Sequence, residues 1–165
     1  MRAIYDGQGM IDRARNTLFS EKTLKILETQ EPVNKKIFTQ VKHNLEKQGF
    51  TVQCDQETDS YLEKRGQEAC VISTSDGKPI ILFHSKLSAS GMYEELIHLT
   101  QINKMRTTIA DGKDYLIEIS EKEIEAKEKI LRNSKAYGIT EYEIEIIKES
   151  ISDYRQRIRR LKNDV

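Results

Sequence analysis

The chain has no tryptophan, only two prolines and two cysteines in 165 residues, and no excess of either charge, with 27 basic and 27 acidic side chains. Each shortage excludes something. Cys54 and Cys70 are too few for the disulfide framework of a small secreted scaffold. Without a close thiol pair they are also unconvincing zinc ligands. Both fall in stretches of strand character, where a free thiol is usually a small buried apolar group; a disulfide between neighbouring strands is compatible with their positions, and nothing demands it. No apolar run is long enough to span a bilayer, and Met1-Arg2-Ala3 does not open a secretory signal. The chain reads as soluble, with any export arising elsewhere. A zero net charge lacks the basic footprint of a nucleic-acid binder, so neither nucleic acid nor membrane is an expected partner. The local cluster Arg155, Arg157, Arg159, Arg160 and Lys162 reads as favourable charge near a helix C-terminus.

What is present is enough for one core. Apolar residues make up 37% and charged residues 33%, so a compact part with well-solvated helices is expected, all within a single domain, 1–165. Residues 1–32 read as an N-terminal arm with short helices, Ser20 capping Glu21 to Glu28 and Pro32 ending it. A helix follows on the stripe Val33, Ile37, Phe38, Val41 and Leu45 and closes at Gly49; His43 lies off that stripe and is expected to be exposed. Phe50 to Cys54 reads as a strand, and Asp59 to Arg65 as a turn of helix. Ala69 to Thr74 and Pro79 to His84 flank Asp76-Gly77, which predicts a β-hairpin. Pro79 suits an edge or a first strand position.

The stretch Gly91 to Gln101 reads as one helix, with Ser88 or Ser90 as its cap. At 100° per residue Glu94, Glu95, His98 and Gln101 share one face, opposite Met92, Leu96, Leu99 and, less centrally, Tyr93. No Lys or Arg occurs from Leu87 to Asn103. In so charged a chain, a plainly solvated face would draw some. The acidic face is therefore expected to meet a cation or a partner surface.

After a linker over 106–113, a helix is predicted from about Asp114 to Ala136, ending at Gly138. Thr140 to Glu143 forms a capping box for a last helix through about Leu161. Its residues Ile144, Ile147, Ile151, Tyr154, Ile158 and Leu161 are spaced as a seam for an antiparallel partner, so 114–165 reads as an αα-hairpin. One carboxylate breaks the pattern. Glu123 falls among Leu116, Ile119, Ala126 and Ile130, in the apolar stripe. A lone buried carboxylate costs several kcal/mol unless it is paired, protonated or metal-bound. Lys127, one turn on, offers the plain explanation, an ion pair within the helix.

Glu95-x-x-His98 has the spacing by which H-E-x-x-H supplies a general base and metal ligands, with Glu94 where the first histidine would stand. Taken alone, these four positions are as well explained by a polar helix face. A di-iron bundle would need a second E-x-x-H, and the sequence has none. Three stretches together carry more. Met92-Tyr93-Glu94-Glu95-Leu96-Ile97-His98-Leu99-Thr100-Gln101, then Glu123-Ile124-Glu125-Ala126, then Lys135-Ala136-Tyr137-Gly138-Ile139-Thr140 resemble the zincin-like metallopeptidase domains at the C-terminal ends of bacterial polymorphic toxins. The resemblance runs from Phe38 to the C-terminus.

The resemblance implies an α+β, zincin-like fold. A small antiparallel sheet with a β-hairpin would pack on an active-site helix within 33–113, followed by a C-terminal helical hairpin over 114–165. It implies a zinc ion, or another divalent ion, held by His98, Glu123 and Glu94, with His84 as the alternative third donor, and Glu95 as general base. A carboxylate binds zinc through oxygen at about 2.0–2.2 Å, so Glu94 is chemically acceptable. Two anionic ligands would leave less positive charge to acidify a water. The activity implied is hydrolysis of a peptide bond in a target-cell protein, by a toxin delivered as the C-terminal part of a larger protein and matched by a cognate immunity protein. The competing expectation is a catalytically inert zincin-like module that binds a protein partner. A toxin nuclease is disfavoured by the neutral charge.

Overall fold

A computed structural model describes residues 32–73, 79–102 and 112–163. The expectations for 1–31, for the Asp76-Gly77 turn and for most of the 106–113 linker lie outside the described residues. The chain divides into two compact units, the first ending at Glu95 and the second beginning at Leu96.

In the first unit, helix α1 (Lys35–Lys47) starts at Asn34, whose side-chain oxygen accepts the Lys36 N–H at 2.9 Å. Gly49 follows its end at φ 90°, a left-handed turn that a side chain would strain. Strand β1 (Thr51–Gln53) leads into α2 (Gln56–Glu63). This helix begins earlier than the expected turn at Asp59 because Asp55 caps it, accepting the Thr58 N–H at 2.8 Å.

Strands β2 (Ala69–Ser73) and β3 (Pro79–Phe83) pair antiparallel, Ala69 opposite Phe83 and Ser73 opposite Pro79. That is the hairpin pairing the sequence predicts. The sheet is nevertheless mixed, with order β1-β3-β2, and β1 runs parallel to β3. The expectation of a purely antiparallel sheet is corrected here. A parallel neighbour needs a crossover of a dozen residues or more, and α2 with β2 supplies one. Pro79 opens the central strand, the one interior place where its missing N–H does no harm.

Central position explains why β3 is apolar throughout. Its residues alternate between two covered faces. On one, Leu82 meets Cys70 and Leu62 of α2, flanked by Ile72 and Ile80. On the other, Phe83 takes the ring of Phe38 of α1 edge-on, centroids 5.7 Å apart. Leu62, Ile81 and Phe83 are fully buried, each contributing about 1.5–3 kcal/mol relative to exposure. Cys54 and Cys70 are free thiols.

Helix α3 (Ala89–Ile102) carries the Glu94/His98 face, and the boundary between the two units falls within it. Ser88, not Ser90, caps it, its hydroxyl accepting the Gly91 N–H at 3.0 Å. Glu68 then fixes Ser88, accepting from its N–H at 3.0 Å and its hydroxyl at 2.6 Å.

The second unit continues with α4 (Lys113–Arg132), a short α5 (Ser134–Tyr137) and α6 (Glu141–Asn163). The predicted single helix to Ala136 is interrupted at Asn133, and Gly138 ends α5 in the left-handed conformation, φ 67°. The capping box forms. Thr140 donates from N–H and hydroxyl to Glu143 at 2.8 and 2.9 Å, and the Glu143 N–H returns to the hydroxyl at 3.2 Å. α4 and α6 pack as the predicted hairpin, with Ile119, Ala126 and Ile130 buried on one helix and Ile147, Ile151 and Tyr154 on the other. Arg155 bridges to Glu128 across them at 2.9 Å; so exposed a pair adds at most about 1 kcal/mol. Among the described residues, no helix is long and apolar enough to cross a membrane.

Candidate metal centre

Helix α3 does not bury its faces as the helical wheel predicts. Met92 and Ile97 are buried, but so are Glu95 and Gln101, while Tyr93, Leu96 and Leu99 are only half-buried. Gln101 shows the reason on its side. Its amide Nε2 donates to the Lys122 carbonyl of α4 at 3.2 Å, so a polar side chain of α3 is turned to a neighbouring helix.

That bond orients everything beside it. With Nε2 donating to a carbonyl, the Gln101 Oε1 is the atom left to face His98 Nδ1, 2.8 Å away. An amide oxygen only accepts, so Nδ1 carries the proton. The other ring nitrogen, Nε2, lies 3.4 Å from Oε1 of Glu123. A lone pair placed beside a carboxylate oxygen is repulsive. The junction therefore calls for positive charge, from a second proton on the ring or from a bound cation. Glu123 is buried, as its place in the apolar stripe predicts, and only 4% of it is accessible. Its second oxygen, Oε2, faces Lys127 Nζ at 3.7 Å. Lys127 thus lies beside one carboxylate oxygen and His98 beside the other.

Glu94 stands one helical turn ahead of His98 on α3. Glu94, His98 and Glu123 each offer one ligand atom, all within 4.8 Å of one another. The donor set fits zinc: one imidazole nitrogen and two carboxylate oxygens are ordinary zinc ligands, and three protein ligands leave a fourth position open. Zinc bonds of about 2.0–2.1 Å at a tetrahedral angle separate neighbouring ligand atoms by about 3.3 Å. The His98–Glu123 spacing matches that edge, whereas the 4.8 Å limit on the full set leaves room for Glu94 to close in.

Compared with models of known protein families, with curated proteins and with solved structures, the chain finds no match.

His84, the alternative donor, is engaged elsewhere. Its Nε2 lies 3.1 Å from Glu63 Oε1, and its Nδ1 accepts the Lys86 N–H at 3.0 Å. Neighbouring Asp59 accepts from the N–H and hydroxyl of Ser85. His84 is not a member of the metal-competent group found among the described residues. Glu95 is buried on α3 and is likewise outside that group. The sequence singled out the face holding Gln101 without giving that residue a role. The signal was its position three residues after a histidine, where a side chain can reach back to Nδ1.

Proposed function

We propose that the chain is a metal-dependent hydrolase of the zincin-like type, with His98, Glu123 and Glu94 holding one divalent ion, zinc by preference, and a peptide bond as its substrate. One observation carries this reading: His98 Nε2, its lone pair set by Gln101, faces a buried carboxylate 3.4 Å away. An ion bound there would act as a Lewis acid on water and on the substrate carbonyl. Among the protein groups, Gln101 holds the imidazole in its ligating tautomer, an orienting role common in metal sites. Glu123 supplies an anionic donor from α4. Glu95, adjacent to Glu94 on α3, is the base that the family resemblance implies for the proton of the attacking water. The toxin context, with a target-cell protein as substrate and an immunity protein as partner, rests on the family resemblance alone.

The test is elemental analysis of purified protein together with a proteolysis or toxicity readout. One zinc per chain is expected in the wild type and in Glu95→Gln, but not in His98→Ala or Glu123→Ala. Glu95→Gln should lose hydrolysis while keeping its metal. A wild type with no stoichiometric metal would overturn the proposal.

A second reading is favoured by Lys127. Its ammonium already lies beside Glu123, as an inert zincin-like binding module would require to stay folded without an ion. In that case Glu95→Gln would leave partner binding intact.

A further inference from the structure

Lys127 is buried, with 8% of its surface accessible. An ammonium group taken out of water costs several kcal/mol unless charge and polar contacts replace the hydration. Glu123 and Tyr154 are among the groups that answer it here. Glu123 Oε2 is 3.7 Å from Nζ, and the ring of Tyr154 on α6 presents its face with the centroid 5.9 Å away. The ion pair is loose, and the ring contact sits at the outer edge of its range. Charge-assisted N–H···O bonds close to about 2.7–2.9 Å, and good cation–π contacts fall within about 6 Å. The carboxylate lies between Lys127, toward Oε2, and His98, toward Oε1.

We propose that Lys127 is a built-in surrogate cation for Glu123, one that keeps the centre folded without metal and sets how tightly it takes a divalent ion. The inference rests on the reading that His98 and Glu123 bind that ion. Two consequences follow from the charges. An ion arriving at Glu123 meets an ammonium already drawn to the same carboxylate, so part of the ligand's charge is spent before binding. The ion also brings a second positive charge close to the first, and the buried setting leaves that repulsion poorly screened. The lysine therefore lowers metal affinity. It also offsets part of the charge of a buried carboxylate in the metal-free protein.

The experiment is a zinc titration of the full chain against a chromophoric chelator, paired with thermal melting in the metal-free state. The variants are Lys127→Met, which removes the charge, and Lys127→Arg, which keeps it. Lys127→Met should bind zinc at least about tenfold more tightly, melt at a lower temperature without zinc, and gain more from zinc than the wild type does. Lys127→Arg should stay close to the wild type in both measurements. If Lys127→Met fails to fold without metal, Lys127→Gln, which retains a hydrogen-bonding tip, takes its place in the same comparison. Unchanged or weaker zinc binding on loss of the charge, with the wild type still binding one zinc, would overturn the role of Lys127 and leave the centre standing. No zinc binding by wild type or variants would overturn the centre and this inference together. Zinc binding by Lys127→Met alone would support the inference in its limiting form and overturn the peptidase reading.

Discussion

His98 owes its chemistry to a neighbour three residues away. The Gln101 amide is pinned by the Lys122 carbonyl and in turn decides which imidazole nitrogen carries the proton. Replacing it with an apolar side chain of similar size removes both bonds. Gln101→Leu is expected to weaken zinc binding by about 10–100-fold, the usual effect of losing an outer-shell partner, with Glu123 untouched; a chelator titration reads it. At the same scale Gly91 has a particular constraint. A Cβ there would come into collision with the Glu68 carboxylate, the group that fixes Ser88 at the start of α3. Gly91→Ala should therefore displace Glu68 and cost about 1–3 kcal/mol, measurable by chemical denaturation. The inward Glu123 and the Lys127 beside it were both legible in the sequence, because helical periodicity fixes who stands on the apolar stripe. The Glu68–Ser88 contact was not. It joins residues twenty positions apart through a fold that local patterns do not encode.

Helices were read well where caps and periodicity agreed, and less well where a cap lay outside the apolar pattern. Helix α2 is the example. Its apolar content is slight, so its start is set by Asp55 rather than by periodicity. The Thr58 N–H donated to this carboxylate holds its pKa below the ordinary value near 3.8. A lowered folded-state pKa means that the charged cap stabilises the helix fully above the unfolded-state value. The stabilisation is lost as pH falls through the lowered one. The first turn of α2 should therefore fray as the pH is brought below the ordinary carboxylate value near 3.8, seen as a loss of Thr58 amide protection. Asp55→Asn should cap the helix without that dependence. The sheet was half legible. Asp76-Gly77 announced the antiparallel pair, whereas β1, three residues long, carried no mark of the strand it would choose. Cys54, just beyond β1, has its thiol pKa pushed up, first by burial and then by the Asp59 carboxylate, which agrees with an unreactive structural thiol.

At the scale of the molecule, the α+β class and the helical hairpin were available from the sequence, because each depends on patterns that repeat along a segment. A ligand that binds only the folded form stabilises it by mass action, by about 2.7 kcal/mol at a concentration one hundred times its dissociation constant. Zinc is accordingly expected to raise the melting temperature of the wild type, and to increase amide protection along α4 and α6. Glu123→Ala should abolish both effects; magnesium, which binds through oxygen and keeps several waters, should reproduce them only weakly.

The order of the strands also has a consequence in time. As the polypeptide leaves the ribosome, Thr51 emerges long before Ile80, the residue opposite it in the parallel pair. Until β3 arrives, β1 has no parallel partner to join, while β2 and β3 lie only a few residues apart in the chain. The nascent chain should zip its hairpin within microseconds and recruit β1 afterwards, so that the earliest-synthesised of these three strands is the last to be secured.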